Sequence, residues 1–450
     1  MKQSFPYSVE FLSPAVLRPY PGNPRTHNDR QINQIARSIE QFGFTNPVLI
    51  SEAYEIIAGH GRVQAAKRLE LKAVPTVRLA HLSPAQRRAY VLADNKLALN
   101  AGWDREMLAI ELQALVDLDF SMDTIGFEVA EVDIVLEEAR GANASATAED
   151  QLPEVQQHRP VSRVGDFWQL GAHRLLCGDA LQKASYVTLL GGEQAEMVFT
   201  DPPYNVPIHG HVCGSGSVRY REFPMACGEM TETEFTKFLE ISLNLMAESC
   251  RDGALHFVCM DWRHLFEALT AGRNVHGNLK NLVVWNKDNG GMGSFYRSKH
   301  ELILIWKHGK APHINNIELG RHGRNRTNVW DYPGTNTLRG RPLEEVGLHP
   351  TIKPTALVAD ALMDASSRNG IILDPFAGSG TILIAAETSG RRARAIEIDP
   401  LYVDVAIRRW QTFTGKLAVL HPTSETFEEI ERKRIGCAAA TEPFLQPEAR

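Results

Sequence analysis

The stretch that most constrains the fold is GIILDPFAGSGTILIAAETSGRRARAIEID, residues 370–399. An apolar run, a tight loop with two glycines, a helical pattern and a second apolar run follow one another. This order predicts strand, loop, helix and strand. Two strands joined by a helix lie parallel in one sheet, so the segment predicts an α/β fold. In open α/β sheets ligands bind at the carboxyl ends of the strands. The loop is therefore a candidate binding site.

The glycine loop limits which ligand can bind. Gly378 and Gly380 let the backbone turn sharply and approach a ligand. The third residue after Gly380 is Leu383, so the dinucleotide fingerprint is incomplete, and the lysine of a triphosphate-binding loop is absent because Thr381 follows Gly380. Glu397 ends the next strand, 17 residues after Gly380, where an acid typically binds ribose hydroxyls. These features favour an adenosine-containing ligand without a pyrophosphate, such as S-adenosylmethionine. The alternative is a crossover without a ligand.

A second constrained segment is VFTDPPYN, residues 198–205. The apolar residues before Asp201 predict a strand. Pro202 and Pro203 end it, because each proline fixes φ and removes a backbone N–H. Asp201 and Tyr204 therefore project from a stiff turn at the carboxyl end of a strand. The turn either presents a carboxylate and an aromatic ring to a ligand or only ends the strand with a surface tyrosine.

Together, DPFAGSGT (374–381) and DPPY (201–204) resemble the motifs of the DNA amino-methyltransferases, which methylate exocyclic amines of adenine or cytosine. In that family the glycine loop holds S-adenosylmethionine and DPPY holds the flipped base. DPPY comes first here, which is the permuted order of the β class. The resemblance covers roughly residues 161–420. It implies a Rossmann-like methyltransferase fold with a mostly parallel sheet, and double-stranded DNA as the partner.

Further segments resemble the family in the expected order. LLCGDAL contains Asp179, HPTIKP (349–354) precedes the glycine loop, and LVVWNKDNG and HELILIWKHG look like later strands of the sheet. The residues that the resemblance assigns to the cofactor are Asp179, Thr351, Lys353, Asp374, Phe376, Gly378, Ser379, Gly380, Thr381 and Glu397.

The resemblance also implies the chemistry of the DPPY turn. An exocyclic amine is a weak nucleophile because its lone pair is delocalised into the ring. The Asp201 carboxylate and the Pro202 carbonyl would accept hydrogen bonds from the amine and orient it. Pro203 would stiffen the turn, and Tyr204 would stack on the extruded base. These four residues are the predicted catalytic set.

Two sequence features narrow the choice of the atom that would be methylated. None of the six cysteines follows a proline, whereas C5-cytosine methylation in the related enzymes needs a cysteine in a Pro-Cys pair. Glutamine methyltransferases usually begin the motif with Asn, and β-class cytosine enzymes tend to begin it with Ser. Asp201 therefore favours adenine N6. Cytosine N4 stays the alternative.

A basic segment is the predicted DNA contact. Residues 321–341 carry five arginines against Asp331, and they lie where the β class keeps its target-recognition region, about 290–345. Arginines there would pair with phosphates or base edges, and Trp330 and Tyr332 would supply stacking surface. The alternative is a solvated basic loop. The predicted DNA-binding residues are Arg321, Arg324, Arg326, Arg339 and Arg341.

The segment after DPPY, residues 207–230, is rich in glycine and predicts an active-site flap. It contains His209, His211, Cys213 and Cys227, but their spacing matches no standard zinc site. We therefore expect no metal.

The N-terminal part resembles the ParB/sulfiredoxin-like fold. Its GHGR turn, Gly59, His60, Gly61 and Arg62, precedes a predicted helix, and a helix N-terminus favours anions. His60 stands where sulfiredoxin has its catalytic cysteine, so that redox activity is not expected. Nucleotide binding, DNA binding or cleavage, and docking remain open. A polar linker, rather than a helix-turn-helix, is expected after this domain.

Composition sets the remaining expectations. The net charge of −6 means that DNA binding must depend on local basic patches. Neither a signal peptide nor an apolar run of about 18 residues occurs, so we expect a cytoplasmic protein, bacterial or phage-encoded, without membrane association. We expect a ParB-like domain at 1–138, a linker at 139–160, a methyltransferase domain at 161–420 and an extension at 421–450. The sequence leaves the oligomeric state open, a homodimer included.

Overall fold

The computed structural model describes residues 7–141, 159–206, 226, 228–288, 290, 295–317, 326–334 and 353–435. Backbone contacts divide the chain into two compact units, residues 1–143 and 144–450. The finer domain limits given above stay predictions.

The first unit is built on a four-stranded sheet in the order β1-β4-β2-β3. Ser83 caps the third helix, and Gln86 completes the capping box. Ile32 and Ala36 of the first helix pack against Ala65 of the second. The elements are β1 (Val9–Leu12), α1 (Asp29–Phe42), β2 (Val48–Ile50), β3 (Ile56–Ala58), α2 (His60–Arg68), β4 (Val74–Arg78) and α3 (Pro84–Leu99).

A pair of helices, α4 (Arg105–Asp117) and α5 (Val129–Gly141), completes this unit. Leu108 and Leu112 of α4 belong to one core cluster with Val132 and Leu136 of α5. The sequence analysis did not predict α5. Its apolar residues recur at helical spacing, but the low-complexity segment that follows hid this pattern.

The second unit is built on an eleven-stranded sheet in the order β11-β9-β10-β8-β7-β12-β13-β6-β5-β14-β15. The five central strands, from β8 to β6, are mutually parallel, as expected for this fold class. Antiparallel strands extend the sheet on both sides. The strands are β5 (Phe167–Leu170), β6 (His173–Cys177), β7 (Ala195–Thr200), β8 (Cys250–Met260), β9 (Leu279–Asn286), β10 (His300–Lys307), β11 (Val329–Asp331), β12 (Ile371–Asp374), β13 (Arg392–Glu397), β14 (Val419–His421) and β15 (Glu425–Thr426).

Helices cover both faces of this sheet, which gives three layers. Leu357, Ile382 and Trp410 lie in the core on one face, and Tyr186 and Phe235 lie in the core on the other. The helices are α6 (Lys183–Leu190), α7 (Glu232–Glu248), α8 (Leu265–His276), α9 (Thr355–Ala365), α10 (Thr381–Ser389), α11 (Pro400–Thr414) and α12 (Phe427–Arg434). No helix among the described residues is long and apolar enough to cross a membrane.

The pairing of β7 with β12 positions the two sequence motifs. These strands are parallel neighbours, with Ile372 opposite Met197 and Leu373 opposite Val198. Both therefore end at the same edge of the sheet. Asp201, which follows β7, and Asp374, which ends β12, meet there although 172 residues separate them in the chain.

Candidate active site

The ends of β7 and β12 are joined by a buried hydrogen bond. The Oγ1 atom of Thr200 donates to Oδ1 of Asp374 at 2.8 Å, and the backbone N–H of Phe376 donates to the same oxygen at 3.1 Å. Asp374 is 6% exposed, and this burial raises the pKa of its carboxyl group to about 7. The bond fixes the DPPY turn against the glycine loop.

The Asp201 carboxylate accepts hydrogen bonds from two side chains. The Nζ atom of Lys353 donates to Oδ2 at 2.5 Å, and the Tyr204 hydroxyl donates to Oδ1 at 2.5 Å. Burial raises the pKa of Asp201, and the Lys353 ammonium opposes that shift. Each oxygen thus already accepts one hydrogen bond, and each has a second lone pair that a further donor, such as an amine, could use.

Two charged residues that the sequence analysis missed complete this network. Glu301, the second residue of β10, lies 2.9 Å from Lys353 Nζ through Oε2 and accepts from the Tyr204 hydroxyl at 3.2 Å. Its Oε1 atom contacts Nζ of Lys287, which follows β9. Burial by itself would raise the pKa of Glu301, but Lys353 and Lys287 together lower it to about 2. Two acids and two lysines thus alternate in a chain of contacts.

Lys353 holds the centre of the network. It is 5% exposed, and burial would lower the pKa of its ammonium, but the Asp201 and Glu301 carboxylates raise it above the ordinary lysine value. The sequence analysis predicted Lys353 as a cofactor residue. The structure places it on the Asp201 carboxylate as well as in the wall of the pocket at the glycine loop. Thr351 of the same motif lies outside the described residues.

The two glycines of the loop have different surroundings. Gly378 has φ of +52°, and a Cβ atom built on it would meet nothing within 4 Å. Gly380 has φ of +79°, and its Cβ would lie 2.6 Å from the Cβ of Ala406. Gly378 therefore leaves open space beside the loop, whereas Gly380 allows α10 and α11 to pack closely.

Glu397 holds the loop from the neighbouring strand. Its Oε2 atom accepts from the Gly378 N–H at 2.8 Å, and its Oε1 atom accepts from the Asp399 N–H at 2.8 Å. Burial raises the pKa of Glu397 to about 7. Asp179 lies next to this acid along the sheet edge, because the preceding Gly178 N–H donates to the Glu397 carbonyl at 2.9 Å.

A buried arginine supports the loop from behind, and the sequence analysis missed it. Arg409 of α11 is 2% exposed. Its guanidinium donates to Oγ1 of Thr381 at 3.0 Å, to Oγ1 of Thr355 at 3.1 Å and to the Ser379 carbonyl at 3.4 Å. It ties the first residues of α9 and α10 to α11. The sequence does contain a signal for this role, because Arg409 interrupts the apolar pattern of the helix.

The structure brings seven of the fourteen predicted catalytic and cofactor residues to one pocket at this sheet edge. Asp201 and six of the predicted cofactor residues form part of its wall, and Gly380 lies within the same loop. The wall consists of Phe199, Asp201, Lys353, Val358, Asp374, Phe376, Ala377, Gly378, Ser379, Thr381 and Ile382.

The prediction for Arg326 as a DNA contact is wrong. Arg326 is only 17% exposed at its side chain and pairs with Asp360 and with Asp364, the latter at 3.0 Å. Two carboxylates therefore neutralise its charge within the fold. Trp330 is also no stacking surface, because it is 6% exposed and lies in the core. Arg321, Arg324, Arg339 and Arg341 lie outside the described residues.

The GHGR turn opens a second cavity, in the first unit. Gly59 has φ of +101° and precedes α2. Nε2 of His60 accepts from the Tyr20 N–H at 3.2 Å, and Arg62 donates to the Asn46 carbonyl at 2.9 Å. Burial, followed by the effect of His27, lowers the pKa of His60. The cavity is lined by Asn23, Arg25, His27, Ile35, Ile57, Ala58, Gly59, His60, Gly61, Arg62, Asp94, Asn95 and Ala98.

The described residues contain no group of three or more His, Cys, Asp or Glu side chains that could hold a metal ion. His209, His211, Cys213 and Cys227 lie outside those residues.

Three protein-family models match the chain. A model described as a DNA methylase matches residues 195–408. A ParB N-terminal domain matches residues 3–96, and a ParB-methyltransferase HTH domain matches residues 106–164. The last match includes α4 and α5. The expectation that a linker stands in place of a helix-turn-helix is therefore wrong.

Two curated relatives from Escherichia coli K12 match different parts of the chain. The ParB-like nuclease domain-containing protein YnaK is 53% identical over 72 residues, which are 16% of this chain and 83% of that protein. The DNA adenine methyltransferase YhdJ is 25% identical over 300 residues, covering 59% of this chain and 90% of that protein. Among solved structures, the M1.HpyAVI–SAM complex covers 52% of this chain and 98% of its own, at 18% identity and a TM-score of 0.37.

Proposed function

The chain belongs to the DNA methylases and carries a ParB N-terminal domain, and on this basis we propose that it transfers a methyl group from S-adenosylmethionine to the N6 amine of adenine in double-stranded DNA. The observation that carries the proposal is the shared pocket. Asp201 lies in one wall with Gly378 and Ser379 of the glycine loop. A nucleophile held by Asp201 and a methyl donor held by the loop would therefore meet in one space.

The pocket residues fit the cofactor. Gly378 has open space where a Cβ would point, so a ligand can approach the backbone closely. Asp374 and Glu397 supply buried carboxyl groups beside the loop, which suit the hydroxyl and cationic groups of S-adenosylmethionine. When bound, S-adenosylmethionine supplies the electrophilic methyl group. The cofactor residues predicted from the sequence would hold it. Lys353 would both contact the cofactor and orient the Asp201 carboxylate.

The base would be held by the DPPY turn. Lys353 would stay hydrogen-bonded to Oδ2 of Asp201. Oδ1 would accept a hydrogen bond from the amine once the Tyr204 hydroxyl no longer donates to it. That movement would also free the Tyr204 ring to stack on the extruded base, which offsets part of the cost of flipping. Amine hydrogen bonds to Oδ1 and to the Pro202 carbonyl would place the lone pair for attack in line with the methyl group.

Adenine is favoured over cytosine by two observations. The first is Asp201 at the head of the DPPY motif. The second is YhdJ, a relative named as a DNA adenine methyltransferase, whose similarity extends over 59% of this chain. Cytosine N4 stays the alternative, because its exocyclic amine would make the same two hydrogen bonds. A cytoplasmic location and a bacterial or phage origin stay proposals.

The first unit supports a second candidate function, the binding of a phosphate-bearing ligand at the GHGR cavity. Arg25 and Arg62 line this cavity together with the amino-terminal turn of α2, an arrangement that favours anions. Full-length protein and an Arg62→Ala variant would be titrated with a fluorescent nucleotide. Cleavage is tested by incubation with unmethylated DNA and Mg²⁺, and intact strands under all conditions would exclude a nuclease.

We do not assign the DNA contact to the helix pair α4–α5. Residues 105–141 contain ten acidic side chains and two basic ones, whereas DNA binding requires cations that neutralise phosphates. Residues 105–141 thus carry a net charge of −8 (2 − 10). Because the whole protein has a net charge of −6, the remainder of the chain is slightly basic, at +2.

The decisive experiment is mass spectrometry of nucleosides from unmethylated DNA incubated with the protein and S-adenosylmethionine. N6-methyladenine supports the proposal. N4-methylcytosine keeps the fold and mechanism but corrects the base. No methylated base on any DNA contradicts the proposal, provided that binding of the cofactor is detected in the same preparation.

A further inference from the structure

Two aromatic side chains stand in solvent on the connection between β9 and β10. Phe295 is 85% exposed and Tyr296 is 82% exposed. Their ring centroids lie 4.6 Å apart with the planes at 77°, so the rings contact each other edge to face. Burying such rings is strongly favourable, so this exposed pair is a candidate for contact with another molecule.

The strand directions place this connection at the catalytic edge of the sheet. β8 is parallel to β7, so Met260 at its end lies on the side where β7 ends. β10 is antiparallel to β8, with Leu302 opposite Met260, and therefore begins at that edge. β9 is antiparallel to β10, with Asn286 opposite His300, and therefore ends there.

The base of the connection belongs to the catalytic network. The Lys287 N–H donates to the Lys299 carbonyl at 2.9 Å, and the Lys287 side chain contacts Glu301, which contacts Tyr204. Tyr296 is three residues from Lys299, and Phe295 is four. Four residues span at most about 14 Å, so the rings stay within that distance of the sheet edge.

The same short segment carries positive charge. Arg297 and Lys299 are exposed, and the Arg297 guanidinium donates to the Gly290 carbonyl at 2.8 Å. Aromatic rings followed directly by cations suit nucleic acid, because the cations pair with phosphates while the rings stack on bases. An apolar protein partner would not require the two cations.

We propose that Phe295 and Tyr296 enter the duplex beside the target and stack in the space that the flipped base leaves. This inference rests on the proposed function, since it requires a DNA substrate whose base is extruded to Asp201. Inserted apolar wedges are known to stabilise unstacked steps. The rings would act on the DNA, not on the methyl donor, so they are positioning residues.

The test compares a Phe295→Ala/Tyr296→Ala double variant with wild type and with Leu417→Ala. Leu417 is 60% exposed and follows α11, which begins at the catalytic edge and leads away from it, so it serves as a control. Methyl transfer to unmethylated DNA is measured with labelled S-adenosylmethionine. We expect kcat/KM for DNA to fall roughly tenfold or more in the double variant, with unchanged cofactor binding and unchanged Leu417→Ala activity.

A second measurement separates a wedge from a structural role. The target site is mapped with wild-type protein, and the target base is then placed opposite a mismatched partner, which lowers the cost of flipping. The defect of the double variant should shrink on this duplex, and a Phe295→Trp/Tyr296→Phe variant should retain activity.

The remaining outcomes of these measurements would each contradict the proposed wedge. A wild-type protein that methylates no DNA overturns the proposed function and this inference with it. An active wild type with an equally active double variant overturns the wedge alone. Loss of cofactor binding or of thermal stability in the double variant would also overturn the wedge. A change in the oligomeric mass of the double variant would overturn it as well. Each of these results would show that the rings cover a protein surface.

Discussion

The Nζ atom of Lys353 lies 2.5 Å from Oδ2 of Asp201, although the two residues are 152 positions apart in the sequence. This contact joins the two motifs HPTIKP and DPPY in one buried network. It fixes the orientation of the Asp201 carboxylate, whose Oδ1 atom bonds only the Tyr204 hydroxyl among the contacts described above. The Lys353 ammonium also opposes the rise in the pKa of Asp201 that burial causes.

Replacement of Asp201 by Asn should separate catalysis from cofactor binding. The side chain keeps its size, but it loses the charge that orients the amine, so we expect kcat to fall roughly a hundredfold or more. Lys353 keeps Glu301 as a partner, so the fold should survive. Rates of methyl transfer and calorimetric titration with S-adenosylmethionine measure the two effects. An equal loss of cofactor affinity would contradict the separate roles.

Replacement of Lys353 by Met should destabilise the protein. It leaves Asp201 and Glu301 as buried carboxylates without their shared cation, which costs roughly 3–5 kcal/mol. The pKa values of both acids should rise, so the variant should be most stable below those values and lose stability as the pH rises through them. Denaturant unfolding at pH 5 and pH 8 measures this difference.

The matched control for that experiment is Lys183→Met. Lys183 pairs with Glu248 at 2.7 Å, but its side chain is 72% exposed, so we expect a change of no more than about 1 kcal/mol. A loss at Lys183 as large as that at Lys353 would show that burial does not govern the effect.

The same substitution at two glycines should give different defects. In Gly378→Ala the methyl group enters open space beside the loop, so cofactor affinity should fall while the positive φ costs only about 1 kcal/mol of stability. In Gly380→Ala the methyl group meets Ala406 at 2.6 Å, so stability should fall further through overpacking. Thermal unfolding without ligand and titration with S-adenosylmethionine distinguish them. Identical profiles for the two variants would be inconsistent with this division.

Binding of the cofactor should strengthen as the pH rises from 6 to 8. Burial raises the pKa values of Asp374 and Glu397 to about 7, and the cationic groups of S-adenosylmethionine favour the ionised carboxylates. The contribution of these two groups to the stability of the ligand-free protein should show the opposite trend. It is fully present below their unfolded pKa of about 4 and is lost as the pH rises through about 7.

Calorimetry and thermal unfolding over this pH range test both trends. An Asp374→Asn variant should show a weaker pH dependence in each measurement. Cofactor affinity that is independent of pH in the wild type would argue against a role for these two carboxyl groups.

Local sequence patterns were enough to predict the central α/β unit and the sheet edge at which its candidate site lies. Apolar runs interrupted by DPPY and by the glycine loop predict strands that end where a ligand can bind, because prolines and glycines restrict the backbone wherever they occur. The strands around LVVWNKDNG and HELILIWKHG were predicted for the same local reason. The capped helix at Ser83 follows from its own neighbours in the chain.

Which charged side chains contact one another could be seen only in the folded chain. Glu301 and Lys287 lie within or beside strand patterns that gave no sign of a site, and the register of β9, β10 and β8 brings them to Lys353 and Tyr204. Arg326 belonged to a basic run in the sequence, yet the fold pairs it with Asp360 and Asp364. Local patterns fix backbone conformation, whereas the partner of a charged side chain depends on contacts between segments that are distant in the chain.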